Sequence, residues 1–248
     1  MANKKDLNFE TKVIHAGQKS DPTTGAVMTP IVLASTFEQS SPGVHKGYDY
    51  SRSINPTREA FENCIASLEN GVKGYGFSSG VAAISACIEL LSPGDHVIAM
   101  DDLYGGSVRL FNEIKTISQG IEVSYVDMTN VDNIKADLKE NTKMIFVETP
   151  TNPLLKVADL SKIARLAKAN KILTVCDNTF ASPFNQQPLN LGFDIVIHSA
   201  TKYLGGHSDL IAGAMVIGKK EKKLINRMSN IHNSCLLYTS DAADESDR

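Results

Sequence analysis

Apolar positions along the chain follow two different rhythms. Residues 1–55 show little periodicity and carry Pro22, Gly25, Pro30, Pro42 and Gly43, the punctuation of an extended arm rather than of a packed layer. From Pro56 onward, short apolar runs at 96–100, 121–126, 143–147, 172–176, 194–198 and 213–217 predict strands. Between them, 80–91, 108–118, 132–140 and 160–170 carry the helical period. Residues 56–70 form a further predicted helix, with Phe61, Ile65 and Leu68 on one face, a proline at its start and Gly71 beyond its end. Repeated strand-helix units predict an α/β fold with a mainly parallel sheet. In such sheets ligands gather outside the carboxyl ends of the strands, so the residues that follow each run are where chemistry is expected.

Composition narrows the function classes. The 248 residues are enough for one large α/β domain with a sizeable core. A net charge of -3, with 21% charged and 42% hydrophobic residues, predicts neither disorder nor a polyanion-binding surface, so nucleic acid is not an expected partner. No apolar run approaches the roughly 20 residues of a membrane span. The stretch from Met1 to Glu10 is polar, and a cytoplasmic location is the expectation. Cys64, Cys87, Cys176 and Cys235 form neither a CxxC pair nor a metal-ligand spacing with histidine, so they read as small core residues and no metal site is expected. The lysine-rich stretches 219–223 and 162–171 read as solvated helix faces.

Four places carry polar residues of complementary kinds: Glu148-Thr-Pro-Thr-Asn-Pro153, Asp177-Asn-Thr-Phe180, Ser199-Ala-Thr-Lys202, and Phe77-Ser-Ser-Gly-Val81 at the start of a predicted helix. The unpaired first amides of a helix favour an anion, which makes Gly80 and Val81 candidate donors, with Ser199 and Thr201 adding hydroxyls. The pattern is neither GxGxxG nor a P-loop, which argues against NAD and ATP and against a nucleotide-binding α/β protein. Lys202, among Ser, Thr and Tyr, is placed for desolvation and imine formation, and a buried Asp177 suits a protonated pyridine nitrogen. A plain buried Asp177–Lys202 ion pair satisfies the same two residues.

The stretch Asp194-Ile-Val-Ile-His-Ser-Ala-Thr-Lys-Tyr-Leu-Gly-Gly-His-Ser208 resembles the cofactor-lysine signature of the Cys/Met-metabolism pyridoxal-phosphate enzymes. The resemblance runs from Thr11 to Asn233, with Tyr50-Ser-Arg-Ser-Ile-Asn-Pro-Thr57, Met100-Asp-Asp-Leu-Tyr-Gly-Gly106, Glu148 to Pro153 and Asp177-Asn-Thr-Phe-Ala-Ser-Pro183 in register. It implies an aspartate-aminotransferase-like fold (fold type I) and pyridoxal 5'-phosphate as cofactor. Lys202 would form the internal imine, Asp177 pair with the ring nitrogen, and Tyr104 stack on the ring and assist proton transfer. Gly80, Val81, Ser199 and Thr201 match phosphate-binding positions, Thr179 lies against the cofactor, and Asn152 lies beside its phenolic oxygen. Tyr50 and Arg52 would reach the phosphate of a neighbouring subunit, implying a homodimer or homotetramer with shared sites; a guanidinium fork suits that phosphate. His198, His207, Asp209 and Glu148 read as a hydrogen-bonding support around Lys202 rather than as metal ligands.

The implied activity is γ-elimination or γ-replacement on cystathionine or an O-acylhomoserine. Tyr104-Gly105-Gly106 resembles the cystathionine enzymes, whereas methionine γ-lyases usually have cysteine at the position of Gly106. Methionine γ-lyase and O-acylhomoserine sulfhydrylase are the nearest alternatives, and a non-catalytic cofactor-binding fragment is the alternative of another class. The expected organisation is an arm at 1–55, a cofactor domain at 56–233 and a non-native tail at 234–248, because residues 235–245 back-translate to a transposase-type sequencing adapter. The family's small C-terminal domain, with the arginine that grips the substrate α-carboxylate, is expected to be missing.

Overall fold

The computed structural model describes residues 7–218 and 222–235. A seven-stranded sheet dominates it, in the order β3-β9-β8-β7-β6-β4-β5. Its strands are β3 (Lys73–Phe77), β4 (His96–Met100), β5 (Glu122–Val126), β6 (Thr142–Glu148), β7 (Leu173–Asp177), β8 (Ile195–Ser199) and β9 (Gly213–Ile217). Only β9 runs against both of its neighbours, β3 and β8. The remaining pairs are parallel, so β3, β4, β6, β7 and β8 deliver their carboxyl ends to one rim of the sheet.

Local chemistry explains where the helices start. In α2 (Pro56–Leu68) the proline takes the first turn and the Asn55 side chain accepts from the Thr57 amide at 2.9 Å. Ser79 caps α3 (Gly80–Ile88) by accepting from Ala82 N at 3.1 Å, and Asp159 caps α7 (Leu160–Asn170) through Lys162 N at 3.0 Å. Between these, α4 (Gly105–Arg109) runs through a π-helical stretch, Leu110–Lys115, into α5 (Thr116–Ser118). The short α6 (Val131–Ala136) follows β5. Beyond β7 come α8 (Ser182–Asn185) and a 3-10 turn, Pro188–Leu191, and α9 (Lys222–Cys235) closes the described chain.

The core is continuous. Ile84, Ile88, Ile98, Met100, Phe111, Met144 and Phe146 are all buried within one cluster, each side chain contributing about 1.5–3 kcal/mol relative to exposure. Cys87 and Cys176 belong to it, and burial pushes both thiols up, while Cys64 is half-buried. No helix among the described residues is long and apolar enough to cross a membrane.

The structure departs from the pattern reading in three places. Strand β3, Lys-Gly-Tyr-Gly-Phe, is not legible as a strand because two of its five residues are glycine. Gly74 is needed there, since a Cβ would lie 2.1 Å from the Glu62 carbonyl of α2. The arm is not wholly extended: it holds α1 (Phe9–His15) and a small hairpin of β1 (Gln39–Ser41) and β2 (Val44–His45). The helix predicted over 132–140 stops at Ala136. Of the lysine-rich stretch 219–223, Lys219, Lys220 and Glu221 lie outside the described residues, as does the expected tail beyond Cys235.

Candidate active site

The rim where the carboxyl ends meet gathers most of the sequence-predicted residues. Asp177 closes β7 and is paired in register with Glu148 on β6 and with Ile197 on β8. Thr179 links it to the next strand: its hydroxyl donates to Asp177 Oδ1 at 2.6 Å and accepts from the Ser199 amide at 2.8 Å. The Thr179 amide adds a third bond, again to Asp177 Oδ1, at 3.0 Å.

Ser199 in turn abuts the start of α3. A Cβ on Gly80 would lie 2.8 Å from Ser199 Cβ, and one on Gly213 would lie 2.0 Å from the Ser79 carbonyl. Only bare backbone allows β8, β9 and the α3 amino terminus to approach this closely. The amides of Gly80 and Val81 are thereby set beside Ser199, an arrangement suited to an anion.

Lys202 stands in a series of turns beyond β8, its amide bonded to the Ser199 carbonyl at 3.2 Å and its carbonyl accepting from Gly206 N at 2.8 Å. It lines an open cleft of about 620 Å³ with Thr201, Tyr203, Asp209, Phe180 and Ile211. The amine is exposed, so this chain does not itself supply the desolvation expected for it. Asp177 and Lys202 form no ion pair among the described residues; Asp177 turns to Thr179 instead. The Thr201 hydroxyl is engaged with Ala212, donating to its carbonyl at 3.2 Å and accepting from its amide at 3.1 Å.

On the other flank, Tyr104 precedes α4 with its ring exposed, and its amide donates to Glu148 Oε2 at 3.0 Å. The Asn152 amide also serves Glu148. Burial, and then the neighbouring Asp177, push the Glu148 carboxyl up to about 8 against the pull of those two amides. Burial pushes Asp177 up as well, opposed by the Thr179 hydroxyl and amide donors. Two buried carboxyls on adjacent strands therefore favour holding a proton between them.

Several residues lie differently from the reading of the sequence, or were not singled out by it. His198 does not join His207 and Asp209: it is fully buried against Glu69, while His207 is exposed and its ring nitrogen lies against the carbonyl of Gly205. Tyr50 and Arg52 contact each other, the guanidinium lying 5.2 Å from the ring centroid, and Arg52 donates to the Asn233 carbonyl of α9. Asp102 is buried and accepts from the Leu154 amide at 2.9 Å and from the Thr151 hydroxyl, which pins the loop carrying Asn152. Its position just past the end of β4 was the available signal.

Comparison with known proteins gives the setting. A family model described as Cys/Met metabolism PLP-dependent enzyme matches residues 10–241. A cystathionine beta-lyase of Coxiella burnetii is 55% identical over 232 residues, covering 94% of this chain and 60% of the relative. A cystathionine gamma-lyase of Bacillus subtilis is 50% identical, covering 87% of this chain and 56% of the relative. The crystal structure of cystathionine gamma-lyase from Lactobacillus plantarum complexed with L-serine superposes with a TM-score of 0.89 at 46% identity, covering 92% of this chain and 59% of that one. The chain thus spans about 60% of the length of its relatives.

Proposed function

The chain belongs to the Cys/Met metabolism PLP-dependent enzyme family, of aspartate-aminotransferase-like fold (fold type I), and from that premise we propose that it builds the cofactor site of a trans-sulfuration enzyme acting on cystathionine or a related sulfur amino acid. The observation that carries the reading is the Thr179 bridge, which ties the acid Asp177 to the Ser199–Gly80 cradle on the rim beside Lys202. An acid, an anion cradle and an amine at those three places fit the ring nitrogen, phosphate and aldehyde of pyridoxal phosphate.

Pyridoxal phosphate, when bound, supplies an electron sink for a substrate carbanion. Everything else falls to the chain's residues. Lys202 holds the cofactor and, once released by substrate, moves the α proton. Asp177 keeps the ring nitrogen protonated, Gly80, Val81, Ser199 and Thr201 receive the phosphate, and Thr179 and Asn152 flank the ring. Thr201 must turn its hydroxyl from Ala212 to take part. Tyr104 covers the ring and passes a proton to the leaving sulfur or oxygen.

Tyr50 and Arg52 serve a neighbouring subunit in a homodimer or homotetramer, a reading supported by their stacking on the exposed arm. The organisation proposed is an arm at 1–55, a cofactor domain at 56–233 and a non-native tail at 234–248, in a cytoplasmic protein. Elimination or replacement at the γ carbon is the preferred activity. The 55% identical relative named a beta-lyase favours β-elimination as the second reading.

Borohydride reduction of the cofactor-loaded protein should fix the label on Lys202, and Lys202→Ala should abolish it; an adduct mapped to another lysine overturns the assignment. With cystathionine, γ-elimination yields cysteine and a four-carbon 2-oxo acid, whereas β-elimination yields homocysteine and pyruvate. Product identity therefore decides between the two.

A further inference from the structure

Behind the rim lies a buried polar network with no part in the site described so far. Glu69, just past the end of α2, reaches the core against β8, where its Oε1 lies 2.6 Å from His198 Nε2 with both side chains fully buried. The same oxygen accepts from Asn178 Nδ2 at 2.9 Å. Asn178 also donates to the Gln186 carbonyl at 2.8 Å and accepts from Gln186 Nε2 at 2.9 Å, and that nitrogen reaches the Thr149 carbonyl at 3.1 Å. Among the described residues, Glu69 Oε2 and His198 Nδ1 have no partner. With Asn178 donating to its Oε1, the Glu69 carboxylate is an acceptor there, which makes Nε2 the proton-bearing nitrogen of His198.

Strand alternation relates this network to the rim. Glu148, Asp177 and Ile197 form one row across β6, β7 and β8, so His198, which follows Ile197 within β8, faces the opposite side, where Glu69 also meets Asn178. Each network residue is thus the immediate neighbour of a site residue: Thr149 of Glu148, Asn178 of Asp177, His198 of Ser199. A buried, hydrogen-bonded set of this kind costs desolvation and gives fixed geometry in return.

We infer that Glu69 and His198 are a positioning pair, holding the Asp177–Asn178 corner and Ser199 in place from behind the sheet. The role rests on Asp177 partnering the cofactor's ring nitrogen. Three groups face Asp177: Glu148 from β6, Thr179 beyond β7 and His198 from β8, and the residue that follows Asp177, Asn178, is anchored to the Glu69 oxygen that also meets His198. Glu69 orients that imidazole and holds Asn178 with the same oxygen, which fixes the backbone that aims Asp177 at the ring nitrogen.

Two conservative variants test the pair. His198→Gln keeps an N–H but not the ring that fixes its place against Glu69, and Glu69→Gln keeps an acceptor but not the carboxylate that holds His198 and Asn178 together. Both are expected to retain stoichiometric pyridoxal phosphate. In both, the pH midpoint of the bound cofactor's long-wavelength absorbance should rise by about half a unit or more. The sign follows because an Asp177 held less firmly against the ring nitrogen leaves the ring less cationic, and the Lys202 nitrogen beside it then keeps its proton to higher pH. Lower thermal stability with an unmoved midpoint would reduce the pair to packing and overturn the inference. In the unsubstituted chain, nitrogen-15 histidine spectra should show a slowly exchanging, strongly downfield proton on His198 Nε2, and its absence overturns the pairing even where a variant fails to fold. If the unsubstituted chain shows no cofactor band at all, the functional reading fails and Asp177 loses its role, while the histidine spectrum still decides whether Glu69 and His198 are paired.

Discussion

The amide of Tyr104 donates to the side chain of Glu148 at 3.0 Å, joining the loop after β4 to the end of β6. A carboxyl that serves two amides, lies beside Asp177 and is itself buried belongs to the support of the Tyr104 loop rather than to solvent chemistry.

That burial has a pH signature. Glu148 is pushed from its ordinary 4.5 to about 8 in the fold, so the folded chain binds this proton more tightly than the unfolded one. Its contribution to stability is complete below 4.5 and is lost as the pH climbs through about 8. Urea unfolding at the two ends of that window should show stability falling with rising pH, and Glu148→Gln should flatten the fall. Asp177, raised as well, leaves a residual slope of the same sign. An identical pH dependence in Glu148→Gln contradicts the assignment.

Thr179 gives a sharper test of the bridge. Thr179→Val preserves shape but strands the Ser199 amide and removes a donor from Asp177. It should lower stability by about 1–3 kcal/mol and weaken pyridoxal phosphate retention, whereas Thr179→Ser should restore most of both. Equal behaviour of the two variants in denaturation and in cofactor titration would show that the hydroxyl does not bridge.

Much of this was legible in the chain itself. The strands predicted at 96–100 and 213–217 match β4 and β9 residue for residue, because apolar runs bounded by turns are unambiguous when both faces are buried. Lys202 and Asp177 stand out as residues that follow predicted strands and Gly80 as the start of a predicted helix, and the structure brings Asp177, Ser199 and Gly80 to one rim. The rest depends on contacts that no local pattern encodes. Glu69 and His198 are 129 positions apart, and nothing in an Asp-Ile-Val-Ile-His strand says that its histidine turns from the rim into the core. Likewise the glycines of β3 suppress its strand signal for a tertiary reason, the approach of Glu62.

The cradle predicts a steric effect. Gly80→Ala would place a methyl 2.8–2.9 Å from Ser199 Cβ and Cα, forcing α3 and β8 apart at the proposed phosphate cradle. Overpacking of this kind costs about 1–3 kcal/mol, which corresponds to roughly a fivefold to hundredfold loss of pyridoxal phosphate affinity if it falls on the bound state. Fluorescence titration with the cofactor reads this directly, and unchanged affinity would remove Gly80 from the phosphate site.

Gly106 separates stability from function. It is buried in α4, and its φ is not in the left-handed region, so the backbone itself does not require glycine. The requirement is space: a Cβ would lie 2.4 Å from Tyr104 Cε1 and 3.1 Å from its Cδ1. Gly106→Ala gains up to about 1 kcal/mol of helix propensity, and the tyrosine ring, being exposed, has room to yield to the new methyl. The thermal midpoint should therefore hold steady or rise. On the proposed reading, in which Tyr104 covers the cofactor, the displaced ring should change the near-ultraviolet circular dichroism of the bound cofactor and lower turnover of the proposed substrate, cystathionine, by about tenfold or more, as misplacement of a reacting group predicts. A variant that is stable and also turns over normally would show that the ring's position over Gly106 is incidental.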